Sequence, residues 1–180
     1  SLYRMVQTTT GNLYGACSNV HDLYQSTRLA DVNLDASDAN GKIVFSTDKG
    51  ANWTTLHQFG HPVFWLALDP KREQTCYASV VHYGGGNGQG GLWVTNDLDK
   101  GPSSTWTKLP NAPRTEGHPA SIVVLKDGKV LCTFSARRNN SGAFTKSSGV
   151  FVYDPASKTW TDLSDSGMQY WTKDIVLDPN

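Results

Sequence analysis

Polar residues able to move protons recur at matching places along this chain. His21-Asp22, His82-Tyr83 and Arg137-Arg138 each follow a short run of apolar and β-forming residues. A second set leads into such runs: His57 and His61, then Arg114, Glu116 and His118, then Tyr170, Trp171, Lys173 and Asp174. Imidazole and carboxyl groups serve as general acids and bases, and guanidinium groups grip carboxylates through a bidentate fork. Trp65, Trp171 and Tyr83 offer flat apolar faces with a polar edge, which suit the C–H faces of sugar rings. The candidate catalytic set is therefore Asp22, Asp31, Glu116, Asp174, His82 and Tyr83. The candidate binding set is His21, Trp65, His118, Arg137, Arg138, Tyr170 and Trp171. No residue is assigned to a metal. Asp35, Asp38 and Asn40 before Gly41, and Asp97 with Asp99, carry oxygens of the kind calcium takes, without the full calcium-loop pattern. No cofactor is called for, and calcium is the one ion these loops could accept.

Bulk properties narrow the classes. Lys+Arg and Asp+Glu are equal at 16 each, so no net field recruits nucleic acid. No apolar run is long enough to span a membrane. Low charge with 17 Gly, 6 Trp and 7 Tyr in 180 residues suits an all-β extracellular protein. Cys17, Cys76 and Cys132 fall in the same slot of three different repeats, too far apart to pair, and read as small buried hydrophobes. The chain starts at Ser1 without a basic and apolar leader, so any signal peptide is expected to have been removed or to lie outside this sequence.

The elements that must position these groups are short strands in a repeat of roughly 50 residues. Ser46-Thr47-Asp48-Lys49-Gly50-Ala51-Asn52-Trp53 follows the strand-like run Lys42-Ile43-Val44-Phe45 and precedes Thr54-Thr55-Leu56. A strand ends there, the chain turns at Asp-Lys-Gly, and Trp opens the next strand. Asp accepts bonds from the turn's own backbone, and Gly takes the positive φ. Gly91 to Asp97 leads through a longer turn to Thr105-Trp106-Thr107. Gly149 to Asp154 leads through Pro155 to Thr159-Trp160-Thr161. Runs at Leu2–Val6, Val63–Leu68 and Ala120–Leu125 read as inner strands, and each is followed by a short turn and a second strand. The expected architecture is all-β: about three four-stranded blades of a β-propeller plus the first strand of a fourth. The blades run over about 1–60, 61–113 and 114–167, and the extra strand over about 170–180. Connections from the second to the third strand are long, roughly 19–41, 82–91 and 137–148. They share one face with the connections between blades, so the polar set converges on the channel mouth. His21, His82, His118 and Arg137 are all expected there. Loops on a rigid scaffold are where function concentrates.

The pattern Ser-x-Asp-x-Gly-x-x-Trp at 46–53 resembles the Asp-box (BNR repeat) of secreted β-propellers such as sialidases, xyloglucan hydrolases and sortilin-type receptors. That resemblance implies a secreted, carbohydrate-active propeller, extracellular or periplasmic. The sialidase branch carries an early Arg-Ile-Pro motif, whereas Arg4 here sits in Tyr3-Arg4-Met5-Val6. The Leu-Asp-Pro endings at 68–70 and 177–179 are closer to xyloglucan hydrolases, which use two Asp residues as general acid and base across a cleft. Hydrolysis needs two of the listed carboxylates about 5–10 Å apart. Propeller polysaccharide lyases are an alternative, with His82, Tyr83 and His118 handling protons and Arg137-Arg138 neutralising a uronate. A non-catalytic glycan- or protein-binding propeller is the other alternative. Three blades and one strand do not close a ring, so a second polypeptide or another copy of the chain is expected as a partner, besides a poly- or oligosaccharide.

Overall fold

The computed structural model describes residues 1–19, 37–82, 88–116, 119–136, 141, 143–169, 172 and 174–178. Among the described residues, twelve strands form three four-stranded antiparallel sheets, each strand pairing with its sequence neighbours. Sheet one is β1 (Leu2–Gln7), β2 (Leu13–Cys17), β3 (Lys42–Ser46) and β4 (Thr54–Gln58). Sheet two is β5 (Val63–Asp69), β6 (Arg72–Val80), β7 (Gly91–Thr95) and β8 (Thr107–Lys108). Sheet three is β9 (Pro119–Val124), β10 (Val130–Phe134), β11 (Gly149–Asp154) and β12 (Thr159–Asp162). Helix among the described residues is limited to 3-10 segments at Leu98–Ser103 and Ser166–Gln169. The all-β, up-and-down architecture is the one the sequence predicts.

Sheet two is sandwiched, and its sequence shows why. From Thr75 onward β6 is buried at every position, because both of its faces meet a neighbour. Cys76, Ala78 and Val80 enter a core with Tyr14, Ile43, Leu56, Leu66 and Trp106 between sheets one and two. Tyr77 turns the other way, into a core with Leu92, Ile122, Cys132, Phe134 and Phe151 between sheets two and three. Alternate residues of a strand point to opposite faces, so a strand buried on both sides loses the polar alternation of a surface strand. Each fully buried Leu, Ile or Phe contributes roughly 1.5–3 kcal/mol by leaving water. The inner strands also touch directly: Tyr3 meets Phe64 edge to face at 4.8 Å, and the Arg4 guanidinium lies 4.3 Å over the Trp65 ring.

The turn at 47–53 forms as its residues dictate. The Ser46 hydroxyl donates to Asp48 Oδ1 at 2.7 Å, which also accepts the Asn52 amide at 2.9 Å. Gly50 has φ 88°, and Trp53 Nε1 donates to the Gly50 carbonyl at 3.1 Å. Sheet two keeps this geometry despite its inserted 3-10 segment: Thr95 donates to Asp97 Oδ1 at 2.7 Å, and the Thr105 amide closes onto the same oxygen at 2.8 Å. In sheet three Asp154 caps a tight hairpin through the Ala156 amide.

Each repeated Trp leans on the preceding sheet. Trp106 is 8% exposed and packs with His57 of β4 and with Phe59 just after it. Trp160 reaches back to donate to the Pro110 carbonyl just after β8, and meets Phe134 and Tyr153 of its own sheet. Trp53, with no preceding sheet in this structure, is 39% exposed.

One local expectation changes, at His57. The turn after β5 is short as expected, since Arg72 already pairs with Asp69. Buried Asp69 accepts from the Lys71 amide and from Arg72 Nε, which fixes a two-residue turn. His57 lies inside β4, half-buried against Phe59 and Trp106, and burial lowers its pKa. Cys76 and Cys132 are buried free thiols, and burial pushes Cys76 up to about 12. No strand is assigned to residues 174–178, and the rest of the further strand expected over 170–180 lies mostly outside the described residues.

Candidate functional site at one end of the sheets

Register fixes which residues share an end. Val63 pairs with Val80 and Pro119 with Phe134, so the starts of β5 and β9 sit beside the ends of β6 and β10. His61 and Glu116 precede the former, and His82 follows the latter. Of the sequence-predicted residues, His82, Trp65, Glu116 and Asp174 are described. Asp22, Asp31, Tyr83, His21, His118, Arg137, Arg138, Tyr170 and Trp171 lie outside the described residues.

His82 is held at one ring face, at Nδ1 and at its carbonyl. Its ring stacks on His61 with centroids 3.7 Å apart and planes 8° from parallel. Its Nδ1 accepts the Gln89 amide at 2.8 Å, and its carbonyl accepts the Gly90 amide. The end of the glycine-rich loop is itself pinned, by Lys108 Nζ on the Gly88 carbonyl and Trp93 Nε1 on the Gln89 carbonyl. An accepting Nδ1 carries no proton, so the neutral ring presents Nε2–H as a donor. His61 is set by the turn before β3. Asp38 is buried, taking the Ser18 hydroxyl and Asn19 amide on Oδ2 and the Asn40 amide on Oδ1. The Gly41 carbonyl in turn accepts the Phe59 and Gly60 amides. A Cβ on Gly41 would overlap the His61 backbone, so only glycine permits this approach.

On sheet three, Arg114 staples the incoming connection. Its guanidinium donates to Asp162 at 2.8 Å and to the Lys146 and Ser148 carbonyls at 2.9 and 2.6 Å, and lies 5.1 Å from the Phe151 ring centre. Desolvation raises the Asp162 pKa, but the Arg114 and Ser164 hydrogen bonds outweigh it and hold the carboxyl low. Two residues on, Glu116 Oε2 accepts the Thr145 hydroxyl at 2.9 Å. Ser135 and Ser148 tie Thr172 to the same end, and exposed Asp174 follows, its Oδ1 accepting the Ile175 amide. The structure thus brings His82 beside His61 and puts Glu116 and the tether of Asp174 at the same end. Trp65 stands one strand-turn inward on β5, donating to the Ile122 carbonyl at 2.9 Å, with one ring face covered by Arg4. Gln89 and Thr145, which orient His82 and Glu116, were not singled out by sequence. Their only signal was a place in loops flanking the polar set. Calcium is one reading of the Asp38 loop; here protein donors fill both carboxylate oxygens.

No family model matches this chain. A curated protein, the oligoxyloglucan-reducing end-specific xyloglucanase of Emericella nidulans, is 23% identical over 145 residues, covering 68% of this chain and 16% of its own length. The GH74 xyloglucanase from Xanthomonas campestris superposes with a TM-score of 0.57 at 15% identity, covering 89% of this chain and 22% of that one. A GH74 enzyme from Niastella koreensis gives a TM-score of 0.58 at 14% identity, covering 92% and 30%. The chain spans less than a third of each of these proteins. At such identities what is shared is the fold: three four-stranded antiparallel sheets consistent with part of a β-propeller.

Proposed function

We propose that this chain is part of a secreted, carbohydrate-active propeller that hydrolyses a poly- or oligosaccharide at the mouth carrying His61, His82 and Glu116. The supporting observation is the gathering of a hydroxyl-bonded carboxylate, a fixed imidazole pair and the Asp174 tether at one sheet end of a xyloglucanase-like fold. The turn at 46–53 is an Asp-box, and 95–106 is a lengthened copy. Blades run over about 1–60, 61–113 and 114–167, with residues 170–180 entering a fourth. Further blades, on another polypeptide or a second copy, close the ring.

Glu116 supplies one carboxyl of the acid/base pair, with Asp174, Asp22 or Asp31 across the cleft. Loss of general acid or base catalysis costs about 10²–10⁴ in rate. His82 Nε2–H donates to a sugar hydroxyl, with His21, His118, Arg137 and Arg138 around it. Trp65, Trp171, Tyr83 and Tyr170 supply the stacking surfaces. A lyase role for His82 is disfavoured, because the Gln89 amide occupies its unprotonated nitrogen. Product analysis on xyloglucan, cellulose and polyuronate substrates tests the reading. New reducing ends without unsaturated sugars support it, whereas unsaturated uronates, or binding without turnover, overturn it.

A further inference from the structure

On the opposite end of the sheets, a groove of about 550 Å³ opens between sheets two and three. It is bounded by the turn after β7 and by the 155–158 hairpin, and so lies away from His82 and Glu116. Its volume falls within the range of small-molecule sites. Tyr77 and Tyr153 line it, and they are only 3% and 4% exposed. Among the described residues neither hydroxyl makes a hydrogen bond. Neither hydroxyl is sealed off from the groove, so each can meet a ligand there.

Asn96 adds a third group. Its Oδ1 accepts the Thr75 hydroxyl at 3.0 Å, which leaves the amide Nδ2 as a donor toward the groove. Val94, Leu109 and Pro155 form an apolar patch beside these three. The charges at the rim largely cancel. Arg72 pairs with Asp69 at 3.0 Å and Asp97 with Lys100 at 3.3 Å, leaving Lys158 as a single donor. Burial, with Asp69 nearby, pushes the Tyr77 hydroxyl up to about 12, so it stays a neutral donor and acceptor. The corresponding groove between sheets one and two is smaller, about 350 Å³, and its Tyr14 hydroxyl is already engaged by Asn12.

We infer that the groove between sheets two and three is a second glycan-binding site, taking a neutral pyranose through the Tyr77 and Tyr153 hydroxyls and Asn96. Ring hydroxyls satisfy the three polar groups, and the sugar's C–H face rests on Val94, Leu109 and Pro155. An anionic sugar gains little where the charges are paired. The site does not depend on catalysis at the mouth; it would hold a remote part of a chain or tether the protein to an insoluble glycan.

The test titrates the complete, ring-closed protein, isotope-labelled in these 180 residues, with methyl β-D-glucopyranoside, cellotetraose and glucuronate, following amide signals. Neutral glycosides should shift Thr105, Thr107, Leu109 and Lys158. Tyr153→Phe and Asn96→Asp, which keep size and shape, should each weaken binding about three- to tenfold, the worth of one lost hydrogen bond. Glu116→Gln should leave this binding unchanged, which separates the groove from the mouth. Absence of shifts around the groove, preference for glucuronate, or unchanged affinity in folded Tyr153→Phe overturns the inference.

Discussion

The backward lean of the repeated tryptophans makes a graded prediction. Trp106, Trp160 and Trp53 occupy like positions in successive repeats but meet different surroundings. Trp106 is 8% exposed and fills the core between sheets one and two, beside Phe59 and His57. Replacing it with Ala removes the indole from that core and leaves a cavity, at a cost of about 3–5 kcal/mol. Trp160 is half-buried, so Trp160→Ala should cost less, about 2–3 kcal/mol by the same scaling. Trp53 is 39% exposed and gives one bond to the Gly50 carbonyl; losing that bond and a partial cover should cost about 1 kcal/mol. A domain holds only about 5–15 kcal/mol in total, so these steps are well separated. Urea unfolding followed by β-sheet circular dichroism measures them as midpoint shifts at constant slope. Equal losses at Trp53 and Trp106 would refute the claim that each tryptophan is anchored by the sheet before it.

Acid should weaken the turns. Hydrogen bonds from Asn52 and Ser46 lower the Asp48 pKa from 3.8 to about 2, so its contribution is full above the ordinary value and lost as pH falls through about 2. Asp48→Asn should flatten the fall in melting temperature over that window, and an unchanged profile would contradict the assignment. Gly41→Ala should push the His61 backbone away, lowering stability by about 1–3 kcal/mol and shifting the ring signals of both His61 and His82. Arg114→Lys cannot reproduce the fork on Asp162 with the Lys146 and Ser148 carbonyls, and should lose about 1–3 kcal/mol in thermal or urea unfolding.

Much of the framework was legible because strand residues advertise their surroundings. The run from Thr75 to Val80 is unbroken by charge because it is buried on both faces, and the Asp48 turn follows from Ser, Asp and Gly at fixed offsets. The lengthened turn at Asp97 kept its geometry because Thr95 does what Ser46 does, and sequence spacing alone hides that equivalence. His57 was read as a loop residue because a polar ring near a turn gives no sign that Phe59 and Trp106 enclose it. The anchoring of His82 by Gln89, and of Glu116 by Thr145, depends on loop paths that carry no periodic signal. The Tyr77–Tyr153 groove lies between repeats, so neither repeat alone points to it.

The central claim is that chemistry takes place at the His82–Glu116 end, with Glu116 as one of two working carboxyls. Its most direct test is turnover of a xyloglucan oligosaccharide by the complete protein carrying Glu116→Gln, a change that still gives Thr145 an acceptor. The account predicts a fall in kcat of about 10²–10⁴ with KM little altered. Turnover within a few-fold of the unsubstituted protein would contradict it.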